Sequence, residues 1–142
     1  MKRTVFFTSF SVAMILVPFS RSDAADSRLV GIWSAQSYVI EGKENPMEGI
    51  FIFTDRHFSA NTFFRVSGGE MEDANANAGT YHTEGDRLVF MQDVQIHVRP
   101  GDSKEPLFYG KRVEEAATYA IEEDRLVITF PSTNKYLCKR IQ

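Results

Sequence analysis

With 142 residues, the chain is long enough for one domain of ordinary size, and 16 Lys and Arg against 19 Asp and Glu give it a formal net charge of −3. An acidic chain without a basic cluster argues against nucleic acids and anionic membrane surfaces as partners. Aromatic residues make up 13% of the sequence, so the interior is expected to be either packed with rings or hollow and lined by them.

The first 24 residues have the pattern of a secretory signal peptide. Two basic residues precede an uncharged apolar run from Val5 to Phe19, and Ser22 and Ala24 then supply small residues at the positions that a signal peptidase needs. This run is shorter than the roughly 20 residues that a membrane-spanning helix needs. We therefore expect cleavage after Ala24 and an exported product, periplasmic or secreted, of residues 25–142 without stable membrane insertion. An uncleaved membrane anchor is the alternative.

Cleavage would make the protein more acidic. Three basic residues and one acidic residue lie before residue 25, so 13 Lys and Arg would face 18 Asp and Glu, a net charge of −5. Cys138 is the sole Cys of the chain, and no intramolecular disulfide can form even in an oxidising compartment. Stability must then come from core packing, and we expect Cys138 to be a buried apolar residue.

Short strands separated by turns follow the signal segment, with hardly any helical periodicity. Leu29–Ile40 predicts the first strand, and a polar loop, Glu41–Pro46, leads to the second strand at Gly49–Thr54. The third strand, His57–Val66, alternates between an apolar and a largely polar face, which is the period-two pattern of a half-buried strand.

The longest predicted break is Ser67–Ala78, which is rich in Gly, Asn and acidic residues. A plain connection between strands is the simpler interpretation. The alternative is a turn of helix through Glu70–Ala76 that closes one end of a barrel.

An internal similarity links two predicted hairpins. Residues 80–90 and 118–128 match at seven of eleven positions at an offset of 38, and each segment has a strand, an acidic turn and a second strand. Tyr81 and Tyr119 should therefore occupy equivalent positions, facing inward with Leu88 and Leu126 on the paired strands.

Further strands are predicted at Val94–Arg99, Leu107–Thr118 and Lys135–Ile141, which brings the total to nine or ten. Short links between strands favour an antiparallel meander that closes on itself, because closure removes exposed sheet edges. The predicted fold class is all-β, an up-and-down antiparallel β-barrel.

Gly31 and Trp33 on the first strand fit the Gly-x-Trp signature of lipocalins. The later segments GIFIFTD at 49–55, AGTY at 78–81, VQIHV at 94–98 and DRLVI at 124–128 follow in an order that resembles the bacterial lipocalin-like domain family. The resemblance covers about residues 28–140. It implies a small barrel with a central cavity, in which Trp33 plugs one end and Arg140 or Lys139 packs against it.

The sequence offers few groups for chemistry. The three His residues lack metal-ligand spacing and no cofactor or nucleophile motif is present, so neither a metal nor a cofactor is expected. His97 lies where the resembling family tends to have a His on a mid-barrel strand. On an unbroken strand from Arg87 it would face solvent, whereas a bulge near Gln92 and Asp93 would turn it inward.

Three functions fit these patterns. The first is binding of a small hydrophobic or amphipathic molecule inside the barrel, with wall residues Phe51, Phe53, Phe64, Tyr81, Phe90, Tyr109 and Tyr119. The second is an isomerase or cyclase type of enzyme in which His97, Tyr81 or Tyr119 transfers a proton. The third is an envelope interaction protein whose barrel is filled by side chains. The sequence leaves the oligomeric state open.

Overall fold

The computed structural model describes residues 25–65, 71–98, 107–108 and 112–142. Strands in these ranges are β1 (Gly31–Ile40), β2 (Lys43–Phe53), β3 (His57–Arg65), β4 (Met71–Glu84), β5 (Arg87–Val98), β6 (Leu107–Phe108), β7 (Val113–Glu122), β8 (Arg125–Thr129) and β9 (Lys135–Arg140). The predicted signal peptide lies outside the described residues. In the described ranges no helix has the length and apolar character to cross a membrane.

Eight strands close into an antiparallel barrel. Their order around the wall is β4-β3-β2-β1-β9-β8-β7-β5, and β5 pairs back with β4 to complete the circle. The predicted all-β, up-and-down antiparallel barrel is confirmed, but the wall has eight strands and not nine or ten. In the described residues, the two-residue strand β6 pairs with the end of β5 at Ile96 and His97, beyond the part of β5 that pairs with β7, and so does not add to the circumference.

The connection between β1 and β2 is shorter than the predicted polar loop Glu41–Pro46. Glu41 and Gly42 both have positive φ, at 50° and 80°, which is the backbone of the tight hairpin turns that match strand twist. The pairing therefore resumes at once, with Ile40 opposite Lys43 and Tyr38 opposite Asn45.

Much of the predicted break at Ser67–Ala78 is in fact strand. Residues from Met71 onward belong to β4, which pairs with β3 from Phe64 opposite Asp73 to His57 opposite Thr80. The described part of Glu70–Ala76 is extended, so the alternative of a helical turn is wrong there. Asn and Ala have weak intrinsic strand preference, but hydrogen bonding to β3 on one side and β5 on the other holds this segment in the sheet.

Large apolar side chains fill one end of the barrel, here called the filled end. Its fully buried residues are Leu29, Trp33, Phe53, Leu88 and Leu126. Burying one such side chain contributes about 1.5–3 kcal/mol, so this end supplies much of the stability that a chain without a disulfide needs. The opposite end, toward which Asp73 and His97 lie, is here called the cavity end.

Candidate functional site

A β-bulge in β5 decides which residues face the interior. Ala78 on β4 pairs with Val94, yet the next residue, Gly79, pairs with Gln92, so Asp93 is an extra residue in β5. Gly79 permits this close approach of two backbones, because a Cβ there would lie 2.0 Å from the carbonyl oxygen of Met91.

The bulge reverses the facing of the second half of β5. Gln95 pairs with Asn77 and His97 pairs with Asn75, and directly paired residues share a face of the sheet. Asn77 lines the interior cavity, so Gln95 and His97 face inward as well. This is the inward alternative for His97, and the outward facing expected for an unbroken strand is wrong.

A cavity of about 150 Å³ lies between the filled end and the cavity end. Its lining residues are Tyr38, Phe51, Phe58, Ala60, Asn77, Phe90, Gln92, Glu115, Ile128, Phe130, Ser132 and Tyr136. The rings come from six different strands or their ends, whereas Asn77, Gln92 and Glu115 come from the neighbouring strands β4, β5 and β7. The cavity therefore has an apolar wall and a polar wall.

The polar wall is a short hydrogen-bonded chain. Gln95 Nε2 donates to Gln92 Oε1, and Gln92 Nε2 donates to Glu115 Oε2 at 2.6 Å. Gln92 is buried, with both ends of its amide engaged. Glu115 keeps access to solvent, but burial of its carboxyl group raises its pKa, and the hydrogen bond from Gln92 opposes that rise.

A His–Asp pair lies beyond the cavity, toward the cavity end. His97 Nε2 contacts Asp73 Oδ1, and both side chains are mostly buried. Asp73 pairs with Phe64 of β3, an inward position next to Tyr38. Within the described ranges, no group of three His, Cys, Asp or Glu side chains is placed to hold a metal ion.

The apolar wall is centred on Tyr136. Its ring centroid lies 4.8 Å from that of Tyr38, 5.4 Å from that of Phe51 and 5.2 Å from that of Phe130. Such separations are those of stabilising aromatic pairs. Burial, together with nearby acidic groups that include Glu115, raises the pKa of the Tyr136 hydroxyl well above its usual range.

At the filled end, Arg140 rather than Lys139 packs against Trp33. The guanidinium carbon of Arg140 lies 4.1 Å from the Trp33 ring centroid, and Nη1 donates to the carbonyl oxygen of Val30 at 2.9 Å. Gly31 is required here, since it has φ of 140° and a Cβ would lie 2.7 Å from Arg140 Nη1. Lys139 is exposed and lies 3.5 Å from Asp124.

Tyr81 and Tyr119 are also at the filled end and do not meet His97. Along β4, Tyr81 stands six residues beyond Asn75, the partner of His97, and six residues span about 20 Å. Both hydroxyl groups are bonded to protein groups, and burial is the main cause that raises each pKa to about 12. The three residues predicted for proton transfer are therefore not brought together.

The predicted wall residues divide into three groups. Phe51 and Phe90 line the cavity, whereas Phe53, Tyr81 and Tyr119 are buried in the filled end. Phe64 packs edge-on against Tyr38, at a centroid distance of 5.3 Å. Tyr109 lies outside the described residues.

The residues of the polar wall were not predicted from the sequence, although one pattern indicates that some of them share a strand face. Asp73, Asn75 and Asn77 recur with period two, which is the spacing of one strand face. Glu115 likewise has the spacing of the inward Ala117 and Tyr119 on β7. Alternation alone does not distinguish an inward polar face from an outward one, because it reports only that two faces differ.

The sequence matches no protein-family model and no curated protein. Two solved structures are similar to this chain. An uncharacterized protein from Bacteroides eggerthii is 16% identical with a TM-score of 0.52, over 80% of this chain and 99% of that one. A lipocalin-like protein from Bacteroides uniformis is 14% identical with a TM-score of 0.50, over 80% of this chain and 98% of that one. The chain thus has a lipocalin-like barrel fold.

Proposed function

We propose that this lipocalin-like barrel binds a small amphipathic molecule in its interior. The observation that carries the proposal is a cavity whose walls differ in chemistry. Tyr38, Phe51 and Tyr136 offer ring surface on one side, and the Gln92–Glu115 pair offers polar groups on the other. Ligand sites are typically apolar with a few placed polar groups that fix orientation.

The volume of the cavity limits the size of the ligand. At about 150 Å³ it is smaller than the roughly 300–1,000 Å³ of sites for drug-sized molecules. An apolar cavity of about 150 Å³ is large enough for benzene. The ligand is therefore a molecule with about one six-membered ring, or an equivalent apolar group, and a polar substituent.

Export is part of the same proposal. A signal peptide at residues 1–24 would deliver residues 25–142 to the periplasm or to the outside of the cell. There a barrel with a net charge of −5 would act as a binding protein for its ligand. Sequencing the N-terminus of protein recovered from the periplasm and the medium tests this part, and an intact Met1 on the recovered protein contradicts it.

Native mass spectrometry tests the binding function directly. The protein is purified from its own cells and its mass is compared under native and denaturing conditions. An extra mass that is lost on denaturation is the expected result, and its identification gives the ligand. A native mass equal to that of the polypeptide, even after incubation with a cell extract, favours the filled-barrel interaction protein.

A pair of variants ties the extra mass to the cavity. Ala60 is buried and lines the cavity, so Ala60→Trp fills the space that a ligand would use. Ser59, the adjacent residue on β3, faces the other side of the sheet, and Ser59→Trp is the matched control. We expect the first variant to lose the extra mass and the second to keep it. Loss of the extra mass in both variants, or in neither variant, contradicts binding of a ligand in this cavity.

A second candidate function rests on the inward-facing contact between His97 and Asp73. A carboxylate that holds an imidazole is suited to proton transfer, which is the requirement of the isomerase or cyclase alternative. If the barrel is an enzyme, the molecule recovered from a His97→Gln variant differs in covalent structure from that recovered from the unmodified protein. The same molecule from both proteins identifies a binding protein.

A further inference from the structure

Glu115 is an acidic group in the cavity for which the described part of the chain offers no cationic partner. Its described contact is the 2.6 Å hydrogen bond that Gln92 donates to Oε2. In the part of the chain that the structure describes, no Lys, Arg or His forms an ion pair with Glu115. The nearest basic side chain in sequence, Arg112, pairs instead with Asp93 at 3.2 Å.

The other lining residues do not balance this charge. Apart from Glu115, those described are aromatic, aliphatic, hydroxyl or amide side chains. Glu115 is only partly removed from solvent, and a carboxylate in that position is stabilised by a nearby cation, since removal from water disfavours its charged form. Burial does raise the pKa of Glu115, as expected for a carboxyl group that lacks such a partner.

The opposite wall is also suited to a positive charge. The Tyr136 ring centroid lies 4.8 Å from that of Tyr38 and 5.4 Å from that of Phe51, and all three rings line the cavity with Glu115. A cation near the face of an aromatic ring is attracted by the ring quadrupole. Ring surface and carboxylate therefore favour the same sign of ligand charge.

We propose that the molecule bound in this cavity is a small organic amine in its protonated form. Its ammonium group would donate to the Glu115 carboxylate on the side of the cavity that faces the rings, and its apolar part would pack against Phe51 and Tyr136. This inference rests on the proposed binding function and adds the chemical class of the ligand. It excludes carboxylic acids, including fatty acids, because their carboxylate would meet Glu115 at close range.

Three probes of nearly equal size test the charge selectivity. Benzylammonium, benzyl alcohol and benzoate each have one benzene ring and one small polar group, and they are cationic, neutral and anionic at pH 7. Titration calorimetry of the purified protein with each probe gives the affinities. We expect benzylammonium to bind about tenfold or more tightly than benzyl alcohol, which is the scale of a hydrogen bond to a charged group. Benzoate should be the weakest of the three.

Two variants of neighbouring residues assign the selectivity to Glu115. Glu115→Gln keeps the shape and an oxygen that accepts from Gln92, and it should lower the affinity for benzylammonium to that for benzyl alcohol. Glu114 is exposed and faces outward on the same strand, so Glu114→Gln removes the same charge without touching the cavity. This control should leave all three affinities unchanged.

The outcomes separate the inference from the function on which it rests. Equal affinities for benzylammonium and benzyl alcohol in the unmodified protein overturn the amine inference and leave cavity binding standing. An equal loss in Glu114→Gln and Glu115→Gln assigns the selectivity to the net charge of the protein and overturns the inference too. Absence of binding by all three probes overturns the binding function itself.

Discussion

Tyr81 and Tyr119 hold two different hairpin turns in the same way. The Tyr81 hydroxyl donates to the carbonyl oxygen of Thr54 at 2.6 Å, and the Tyr119 hydroxyl lies 3.2 Å from the carbonyl oxygen of Gly85. Their backbone N–H groups likewise bond Arg56 O and Asp86 O, at 2.9 and 2.8 Å. In each of the two similar segments, a Tyr is therefore hydrogen-bonded to the turn of a neighbouring hairpin and stabilises it.

Replacing these hydroxyl groups should lower stability without affecting binding. Tyr81→Phe leaves the carbonyl of Thr54 without its donor, and a net loss of about 1 kcal/mol in the free energy of unfolding is expected. Tyr119→Phe should lower the free energy of unfolding by more than this, because the Tyr119 hydroxyl also donates to the Asp26 carboxylate at 2.8 Å. Urea unfolding measures both changes. Unchanged stability with weakened binding of the cavity ligand would instead place these residues in the binding site.

Acid should weaken the contact between the N-terminal segment and the filled end. Hydrogen bonds from Arg28, with a further one from Tyr119, lower the pKa of Asp26 from its ordinary value of 3.8 to about 2. A lowered pKa means that this stabilisation is fully present above about pH 4 and is lost as pH falls toward 2.

The Asp26→Asn variant isolates this effect. Its free energy of unfolding should be about 1 kcal/mol lower than that of the unmodified protein at pH 7, a value reduced for the solvent exposure of Arg28. The difference should shrink as the pH approaches 2. A difference that is constant from pH 6 to pH 2 would show that the carboxylate charge does not matter.

Removal of the Arg140 side chain should destabilise the filled end. Arg140→Ala loses the stacking on Trp33 and the hydrogen bond to Val30 O, for an expected cost of about 2 kcal/mol. Lys139→Ala is the matched control, since Lys139 is exposed and its ion pair with Asp124 contributes little. Thermal unfolding measures the effect, and equal melting temperatures of Arg140→Ala and Lys139→Ala would contradict a stabilising role for Arg140.

The bulge at Gly79 should be intolerant of a side chain. In Gly79→Ala the new methyl group would meet the backbone of Met91 at 2.0 Å, so the strands must separate or lose the bulge, at a cost of about 1–3 kcal/mol. Loss of the bulge would turn His97 outward and increase its reactivity toward diethyl pyrocarbonate. If Gly79→Ala changes neither the free energy of unfolding nor the reactivity of His97, the bulge does not depend on Gly79.

Hairpins with clear turn chemistry were predictable from the sequence. The acidic turns at Glu84–Asp86 and Glu122–Asp124 follow strands with alternating apolar residues, and both turns are found where local chemistry alone places them. The Gly-x-Trp signature and the basic residue of the last strand also pointed to the plug formed by Trp33 and Arg140.

The polar wall was less accessible to sequence reasoning. β4 has residues with low strand preference, and only its pairing with strands on both sides makes it extended. The facing of His97 depends on one extra residue at Asp93, and a bulge is set by the packing of two strands rather than by a local motif. Distant cross-strand partners thus determine most of the site.

The pairing of β1 with β9 also governs when the protein can fold. Arg140 bonds Val30, which lies 110 residues earlier in the chain, and β9 is the strand that pairs with β1 on the side away from β2. A topology with such high contact order folds slowly, because the entropy of closing a long loop is lost before the closing contacts form. The barrel therefore cannot close until β9 has been synthesised and can pair with β1.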